Sequence, residues 1–386
     1  MNNNIVYVDL FSVKNFHEKF NASVLLSLVK KANENGANIS IFATKSSFVN
    51  SYEFLKTKGY LEETPKIEFN EIKLPHGTNS LYIFLRHLVG FFFGLGILFK
   101  FSKNHTIIFS QLNPFLAFFF KFNIKFNSRI LIICHGELEF SISKSPITKP
   151  LFLYSLLINR FLKGINFMGC QIIVLGDSIK ANLQHYFKDI HLCKVISIDH
   201  PYFYEHKDIS NEECLEIRKV GIVGAISNSK GFLDFVDFSY KLRLNPFVSK
   251  ISVVGIGRHN YNVCDYTNIE FAFKRGYFAT HSEFNIEVAK LDVILFFYNM
   301  ESYKLTCSGA LFDAVNHNKI VISLRNDYFD YMFNKYGPIG VLCNSVDEMI
   351  QALNNIVCKK IDIKIFHENM SIWRENTSSD NFSLPS

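Results

Sequence analysis

The residues from Leu291 to Leu324, LDVILFFYNMESYKLTCSGALFDAVNHNKIVISL, set a helix start between two runs with the character of buried strands. Ser308 and Gly309 open that helix. Unpaired backbone N–H groups at the positive end of a helix dipole form a ready site for phosphate, although a glycine there serves packing as readily as a ligand. Asp313, one turn on, either faces a ribose hydroxyl or stabilises the helix start. Lys230 follows a glycine-ended strand; its ammonium either reaches a phosphate as a point charge or caps a solvated helix. His135 closes a very apolar strand and is either turned toward a ligand or kept in the core by one hydrogen bond. Glu137 and Glu139 share its loop and either contact a sugar hydroxyl or act as a base, or form a solvated loop face. His17 and Glu18, near the first helix start, are candidates to bind an acceptor or a diphosphate.

Short β-branched or aromatic runs, each followed by a helical pattern, must position these residues. They are NIVYVDL before a helix over Ala22–Asn33, ANISIFA, HTIIFS before Pro114–Phe122, RILIIC, and CQIIVL before Ser178–Phe187. A second series follows: KVGIVGA, a helix over Lys230–Leu242, KISVVGIG, NIEFAF, LDVILFF, the helix from Gly309, KIVISL, a strand near Gly340–Cys343 and a helix over Ser345–Val357. Strands alternating with helices predict parallel sheets covered on both faces. The expected fold class is therefore α/β, with a Rossmann-like N-terminal domain over 1–200 and a second, ligand-binding one over 215–359. The polar stretch His200–Lys219 is the expected linker, and the helix over 360–376 is expected to return to the first half, with a frayed end beyond. Two doubly wound halves imply a ligand cleft at the carboxyl ends of their strands.

Composition removes several classes. With 386 residues, 48% hydrophobic and 20% charged, the chain is long and apolar enough for two packed cores. The 41 phenylalanines, alongside abundant Ile, Asn and Lys, read in part as codon bias. A net charge of +6 is too mild for a dedicated nucleic-acid binder and suits phosphate or anionic lipid. The eight cysteines form no CxxC or other short pair, which disfavours a zinc site and a disulfide framework. No secretory signal opens the sequence, so the expected location is a reducing cytoplasm. The most apolar stretch, Leu88–Phe99, is shorter than the ~20 residues a bilayer crossing takes. It predicts no span. Together with Phe115–Phe120, which Lys121 interrupts, and the run from Leu151, which carries Arg160 and Lys163, it is either a buried helix or a surface lying on anionic headgroups, hence peripheral on the inner face of a membrane.

The order and spacing resemble the GT-B glycosyltransferases, most closely the glycosyl transferase group 1 (family 4-like) enzymes. The residues that carry the likeness are Leu291-Asp292-Val293, Ser308-Gly309, Leu311-Phe312-Asp313-Ala314 and Asn318-Lys319-Ile320-Val321-Ile322. Upstream stand Val223-Gly224 with Lys230-Gly231, Val254-Gly255-Ile256-Gly257, and Cys134-His135-Gly136-Glu137. The resemblance implies donor contacts at Gly224, Lys230, Gly255, Gly257, Ser308, Gly309 and Asp313, and catalytic parts for His135, Lys230 and Asp313. His17, Glu18 and Glu137 are left to the acceptor side. It implies a UDP- or GDP-linked sugar as substrate, no cofactor or metal, a lipid-linked or oligosaccharide acceptor, and retention at the anomeric carbon.

The chain departs from the family pattern in three places. Leu305 falls where the first of the family's paired glutamates would be, with Glu301 out of register. Ala225 replaces an arginine, and no glycine-rich turn follows the first strand. Phosphate contacts then rest on Lys230 and the Ser308 and Gly309 amides, or on Arg258 or Arg275. Rival readings are a sugar-nucleotide epimerase of the same shape and a noncatalytic scaffold at a membrane. A dehydrogenase is disfavoured, since no GxGxxG motif appears in the first half.

Overall fold

The computed structural model describes residues 4–13, 17–61, 66–77, 79–120, 127–142, 150–205, 216–298, 300–301 and 303–385. Half of the expected linker, 206–215, and Lys121 lie outside the described residues. The chain forms two compact units. The first holds Met1–Phe203 with Leu305–Cys307 and Ser379–Ser386; the second holds Tyr204–Lys304 and Ser308–Ser378.

In the first unit the order is β1 (Asn4–Val8), α1 (Glu18–Asn35), β2 (Ile39–Ala43), α2 (Lys45–Thr57), β3 (Ile67–Glu71), α3 (Ser80–Lys100), β4 (Lys103–Phe109), α4 (Pro114–Phe120), β5 (Asn127–Cys134), α5 (Pro150–Gly164), β6 (Cys170–Val174), α6 (Asp177–Tyr186) and β7 (Val195–Ser197). These strands make a seven-stranded parallel sheet in the order β3-β2-β1-β4-β5-β6-β7. The second unit runs β8 (Lys219–Val223), α7 (Phe232–Leu244), β9 (Ser252–Ile256), β10 (Glu270–Phe271), α8 (His281–Ala289), β11 (Val293–Phe296), α9 (Gly309–Asn316), β12 (Ile320–Leu324), α10 (Asp327–Tyr336), β13 (Gly340–Cys343), α11 (Val346–Val357) and α12 (Lys364–Thr377). Its parallel sheet has the order β10-β9-β8-β11-β12-β13. Both units are thus doubly wound: the strand order grows one way and then reverses. The reversals fall between β1 and β4 and between β8 and β11, and ligands of open α/β sheets bind beyond the strand ends at such points.

The elements follow from the residues. Strands β5, β6, β11 and β12 are nearly continuous runs of Ile, Leu, Val and Phe, buried throughout most of their length because helices cover both sheet faces. Four helices start on a side chain that accepts a backbone N–H: Thr44 for α2, Asn79 for α3, Asn326 for α10 and Ser345 for α11. Thr280 and Glu283 form a full capping box at α8. Asp292 accepts the Arg218 and Lys219 N–H groups at 2.8 Å each and so ties the starts of β8 and β11 together, away from the strand ends where a ligand would sit.

Three expectations are corrected. Helix α3 is 21 residues long, not 12, and is the one described helix long and apolar enough to cross a membrane by length and composition. Arg86 and His87 fit inside it because they turn inward: Arg86 donates to the carbonyls of Pro75 and Gly77 at 3.2 and 2.7 Å. The closing helix α12 belongs to the second unit, where Trp373 is fully buried against Phe312, Phe333 and Tyr336 and its indole N–H donates to the Gly337 carbonyl. The tail after Ser378 is bound into the first unit: Ser379 and Ser23 share a 2.6 Å hydrogen bond, and the Leu384 N–H donates to Ser27 Oγ.

Candidate functional site

In the second unit, the residues beyond β8 and β11 meet at the strand-order reversal. A shallow hollow there is lined by Val223, Ile226, Ser227, Lys230, Phe297 and Tyr298, among others. Lys230 ends a short 3-10 turn ahead of α7, half-buried, with its Nζ 5.8 Å from the centre of the Tyr298 ring. A face of aromatic electrons beside an ammonium steadies the cation without neutralising it. Gly231, at φ 77°, starts α7, and a Cβ there would lie 2.2 Å from the Phe297 carbonyl oxygen, so only glycine lets the lysine's turn press against β11.

Gly224 and Gly257 form one pinch. The Gly224 N–H donates to the Ile256 carbonyl, and the Gly224 oxygen sits where a Gly257 side chain would begin, 1.7 Å from the position of a Cβ. Gly255 lies inside β9, where a Cβ would meet Ile226 and Phe271, so packing by itself accounts for a glycine there. Arg258 follows the pinch, its backbone oxygen accepting the Ile226 N–H at 2.9 Å and its guanidinium 4.2 Å above the Phe278 ring. Its backbone thus lies beside the loop that holds Ala225, while its charged end packs on Phe278. Arg275 is exposed.

Ser308 is the N-cap of α9, and its side chain makes no capping hydrogen bond. It is 2% exposed, and its Oγ has no hydrogen-bond partner among the described residues. Leaving a buried hydroxyl unpaired costs about 1–3 kcal/mol. Gly309, next to it, is exposed, and a Cβ there would meet nothing within 4 Å, so this glycine is not required by packing. The helix start therefore offers an unspent hydroxyl and room beside the N–H groups that open a helix. Asp313 lies half-buried one turn in, where its charge adds to burial in pushing the Tyr204 phenol upward.

In the first unit, the fold brings together residues far apart in sequence. His17 stacks on His135 with ring centroids 4.4 Å apart, and Phe20 packs edge-on at 4.3 Å with His200 on its other side. His17 holds its position in a left-handed conformation, φ 56°, at the N-cap of α1, and Glu18 is the first residue of that helix. His135 Nε2 lies 3.1 Å from the Ser110 carbonyl at the end of β4, and burial holds the imidazole well below its usual pKa, with His17 and His200 adding to the effect. Glu137 is not on a solvated face. It is 5% exposed, accepts the N–H groups of His135 and Gly136 at 2.8 and 3.2 Å, and burial pushes its carboxyl up to about 7. Those bonds hold the turn that carries His135. Glu139 accepts the Leu305 N–H at 2.7 Å, and Leu305 is 1% exposed, an apolar setting unsuited to the family's first glutamate.

Sequence reasoning missed Asp9. It sits directly beyond β1, is 1% exposed, and accepts hydrogen bonds from the N–H groups of Phe11 and Ser12, from Asn21 Nδ2 and from Ser47 Oγ. The loop that in many such sheets wraps a phosphate is here filled by the chain's own carboxylate. The signal was available: an aspartate at the end of a buried strand with no glycine-rich turn after it.

These buried imidazoles predict an acid-labile first unit. His17 and His200 fall to about 4 and His87 to about 3, chiefly through burial, from 6.5. A base with a depressed folded pKa contributes stability that is present above its unfolded pKa and is lost as the pH falls toward the folded value. Glu137 runs the opposite way, because its raised pKa favours the folded state below about 4.5 and that contribution is lost by about 7. Each proton taken up only on unfolding changes stability by up to ~1.4 kcal/mol per pH unit, and the histidines outnumber the glutamate. Denaturant midpoints should fall steadily from pH 6.5 to 4.5, and Glu137→Gln should steepen that fall.

No protein-family model matches the chain, and no curated protein is similar to it in sequence. Solved structures are. A variant of TarM from S. aureus, in complex with fondaparinux, α-GlcNAc-glycerol and UDP, superposes with a TM-score of 0.60 at 10% identity, over 98% of this chain and 97% of that one. HepE from Anabaena, in complex with UDP, gives 0.58 at 14% identity over 98% and 96%. The lipopolysaccharide outer core galactosyltransferase WaaB gives 0.55 at 13% identity over 95% and 94%. The shared architecture is the GT-B fold, and this chain has it along nearly its whole length.

Proposed function

We propose that the protein is a glycosyltransferase, moving a sugar from a nucleoside-diphosphate donor to a hydroxyl of a glycan acceptor. The observation that carries this reading is the start of α9: a buried Ser308 hydroxyl with no partner among the described residues, beside an open, unpacked Gly309. A diphosphate would satisfy that hydroxyl and the helix N–H groups while lying along the helix dipole. Lys230 supplies the compensating charge, and Arg258, whose backbone meets the same loop, is proposed to assist it. Asp313 is assigned to the ribose.

The bond from the anomeric carbon to the diphosphate oxygen breaks, and one to the acceptor oxygen forms. The acceptor's proton passes to the departing phosphate. Negative charge grows on the leaving diphosphate, so donors already in place lower the barrier more than groups that must first reorient. In this reading no metal is needed for that task. Retention of anomeric configuration is part of the proposal and rests on the family resemblance. His135, neutral and backed by His17, positions acceptor or donor sugar, with Glu18 at the edge of that group. The acceptor is proposed to be a lipid-linked glycan of a bacterial-type surface polysaccharide. Two of the similar structures support that choice by their titles: one protein acts on the lipopolysaccharide outer core, and another was captured with a glycerol-linked sugar.

The test begins with thermal shift against uridine, guanosine, cytidine and thymidine diphosphates. One of them should raise the melting temperature, and Ser308→Ala should weaken that response while leaving the unliganded protein as stable or slightly more so, since it removes an unpaired hydroxyl. Nucleotide release from the matching sugar donor should then require acceptor. Release without acceptor would replace this reading with an epimerase. Failure to bind any diphosphate would replace it with a noncatalytic scaffold.

A further inference from the structure

Helices α3, α4 and α5 form one layer of the first unit: Phe84 and Phe91 meet Phe115, Phe99 meets Phe119, and Phe115 meets Tyr154. Two glycines on the buried side of α3 hold it close to the rest of the unit. A Cβ at Gly90 would lie 2.8 Å from the Leu10 carbonyl oxygen, and one at Gly94 would lie 3.0 Å from side chains of Leu10 and Leu116. The outer side is the reverse. Leu81, Phe92 and Phe99 are 61%, 64% and 57% exposed, and their spacing sets them on one stripe of the helix, ending beside exposed Lys100. On α5, exposed Leu153 and Leu156 continue at helical spacing into exposed Arg160 and Lys163.

The charge of this region is one-sided. Residues 72–176 contain eleven lysines and arginines against two carboxylates, in a chain with 35 carboxylates in all. Neither of the two faces solvent as a free acid, since Glu137 is buried on its own loop and Glu139 holds the Leu305 N–H. Bulky apolar side chains with cations at the helix ends and no acid among them match a surface that is hydrocarbon below and anionic above.

We propose that the outer face of α3 and α5 docks on an anionic lipid bilayer, with both helices lying in the interface. Helix α3 is long enough to span, but its close glycine seam and the inward hydrogen bonds of Arg86 tie it to the sheet, and leaving that position would strand a guanidinium in hydrocarbon. Binding then combines insertion of Phe92, Phe99 and Leu156 with attraction of Lys100, Arg160 and Lys163 to headgroups. The proposal stands apart from the sugar-transfer reading, because it is tested without nucleotide or acceptor.

The full chain should co-float with vesicles containing phosphatidylglycerol, leave them at high salt, and bind pure phosphatidylcholine vesicles weakly. Phe92→Glu with Phe99→Glu should abolish binding. Arg160→Glu with Lys163→Glu should weaken it by roughly fivefold or more for each cation lost. All four side chains are exposed, so circular dichroism melts should match the wild type. Equal binding to neutral and anionic vesicles would overturn the proposal. So would retention in the membrane through alkaline carbonate extraction, which would mark a span. Absence of vesicle binding, with Phe92→Glu turning a dimer into a monomer, would assign the face to a second copy of the chain.

Discussion

Replacing Lys230 with alanine is expected to lower turnover by about 10²–10³-fold while leaving the fold intact. The size follows from what removal of one preorganised group facing developing charge costs, about 2.7–4 kcal/mol. The side chain is half-buried at the strand-order reversal of the second unit and approaches the Tyr298 ring, with no ion pair among the described residues to be broken by its loss. Removing it therefore deletes a charge from the proposed diphosphate site without stranding a partner. Lys230→Arg should restore only part of the rate, because a planar fork replaces a compact point charge. The measurement is kcat with saturating donor and acceptor, alongside a thermal melt. A Lys230→Ala enzyme with unchanged turnover would remove the lysine from the mechanism. A fall in melting temperature that tracks the loss of rate would make its role structural.

The second large effect is on stability. Gly257→Ala should destabilise the second unit by about 3 kcal/mol or more. The residue sits at φ 142°, outside the range L side chains adopt, and its Cβ would fall 1.7 Å from the Gly224 carbonyl oxygen. A strained backbone position costs about 1–3 kcal/mol, and moving a backbone carbonyl out of a packed strand end adds a similar amount. Gly276→Ala separates the two contributions. That residue also has a positive φ, 73°, but a Cβ there meets nothing within 4 Å, so its cost should be near ~1 kcal/mol. Urea unfolding of the two variants should therefore differ by about 2 kcal/mol or more. Equal midpoints would mean that the pinch between β8 and β9 opens at little cost. Because Gly224 and Gly257 carry the loop before Lys230, donor binding should weaken in Gly257→Ala even where the protein remains folded.

Some of the candidate site was legible before any tertiary structure. Ser308 and Gly309 stand between two apolar strand runs, so a helix had to start there, and every helix start exposes backbone donors. That this helix start has room was not legible, because only packing shows that the serine hydroxyl is buried with no partner among the described residues and that a Cβ at Gly309 would meet nothing within 4 Å. The glycines show the same division. Three of the four expected donor glycines, Gly224, Gly255 and Gly257, belong to a strand pattern, yet one of them, Gly255, lies inside the strand against Ile226 and Phe271, a distinction set by register and not by local sequence.

The alternation of apolar strand runs with helical patterns determined, without further information, that this chain makes parallel sheets covered on both faces, since no other arrangement buries strands that are apolar on both sides. It did not fix where helices begin: α1 starts at Glu18 and α3 at Ser80, each ahead of the stretch its pattern marked. Only the tertiary structure decided which distant residues share a neighbourhood. His17 meets His135 because the start of α1 and the end of β5 converge at one end of the sheet. Glu137, which reads as a loop acid, becomes buried and is pushed toward neutrality. Helix α12 joins the second unit because Trp373 finds its aromatic partners there. Burial and long-range pairing depend on how the elements are stacked, and short-range periodicity carries no record of that.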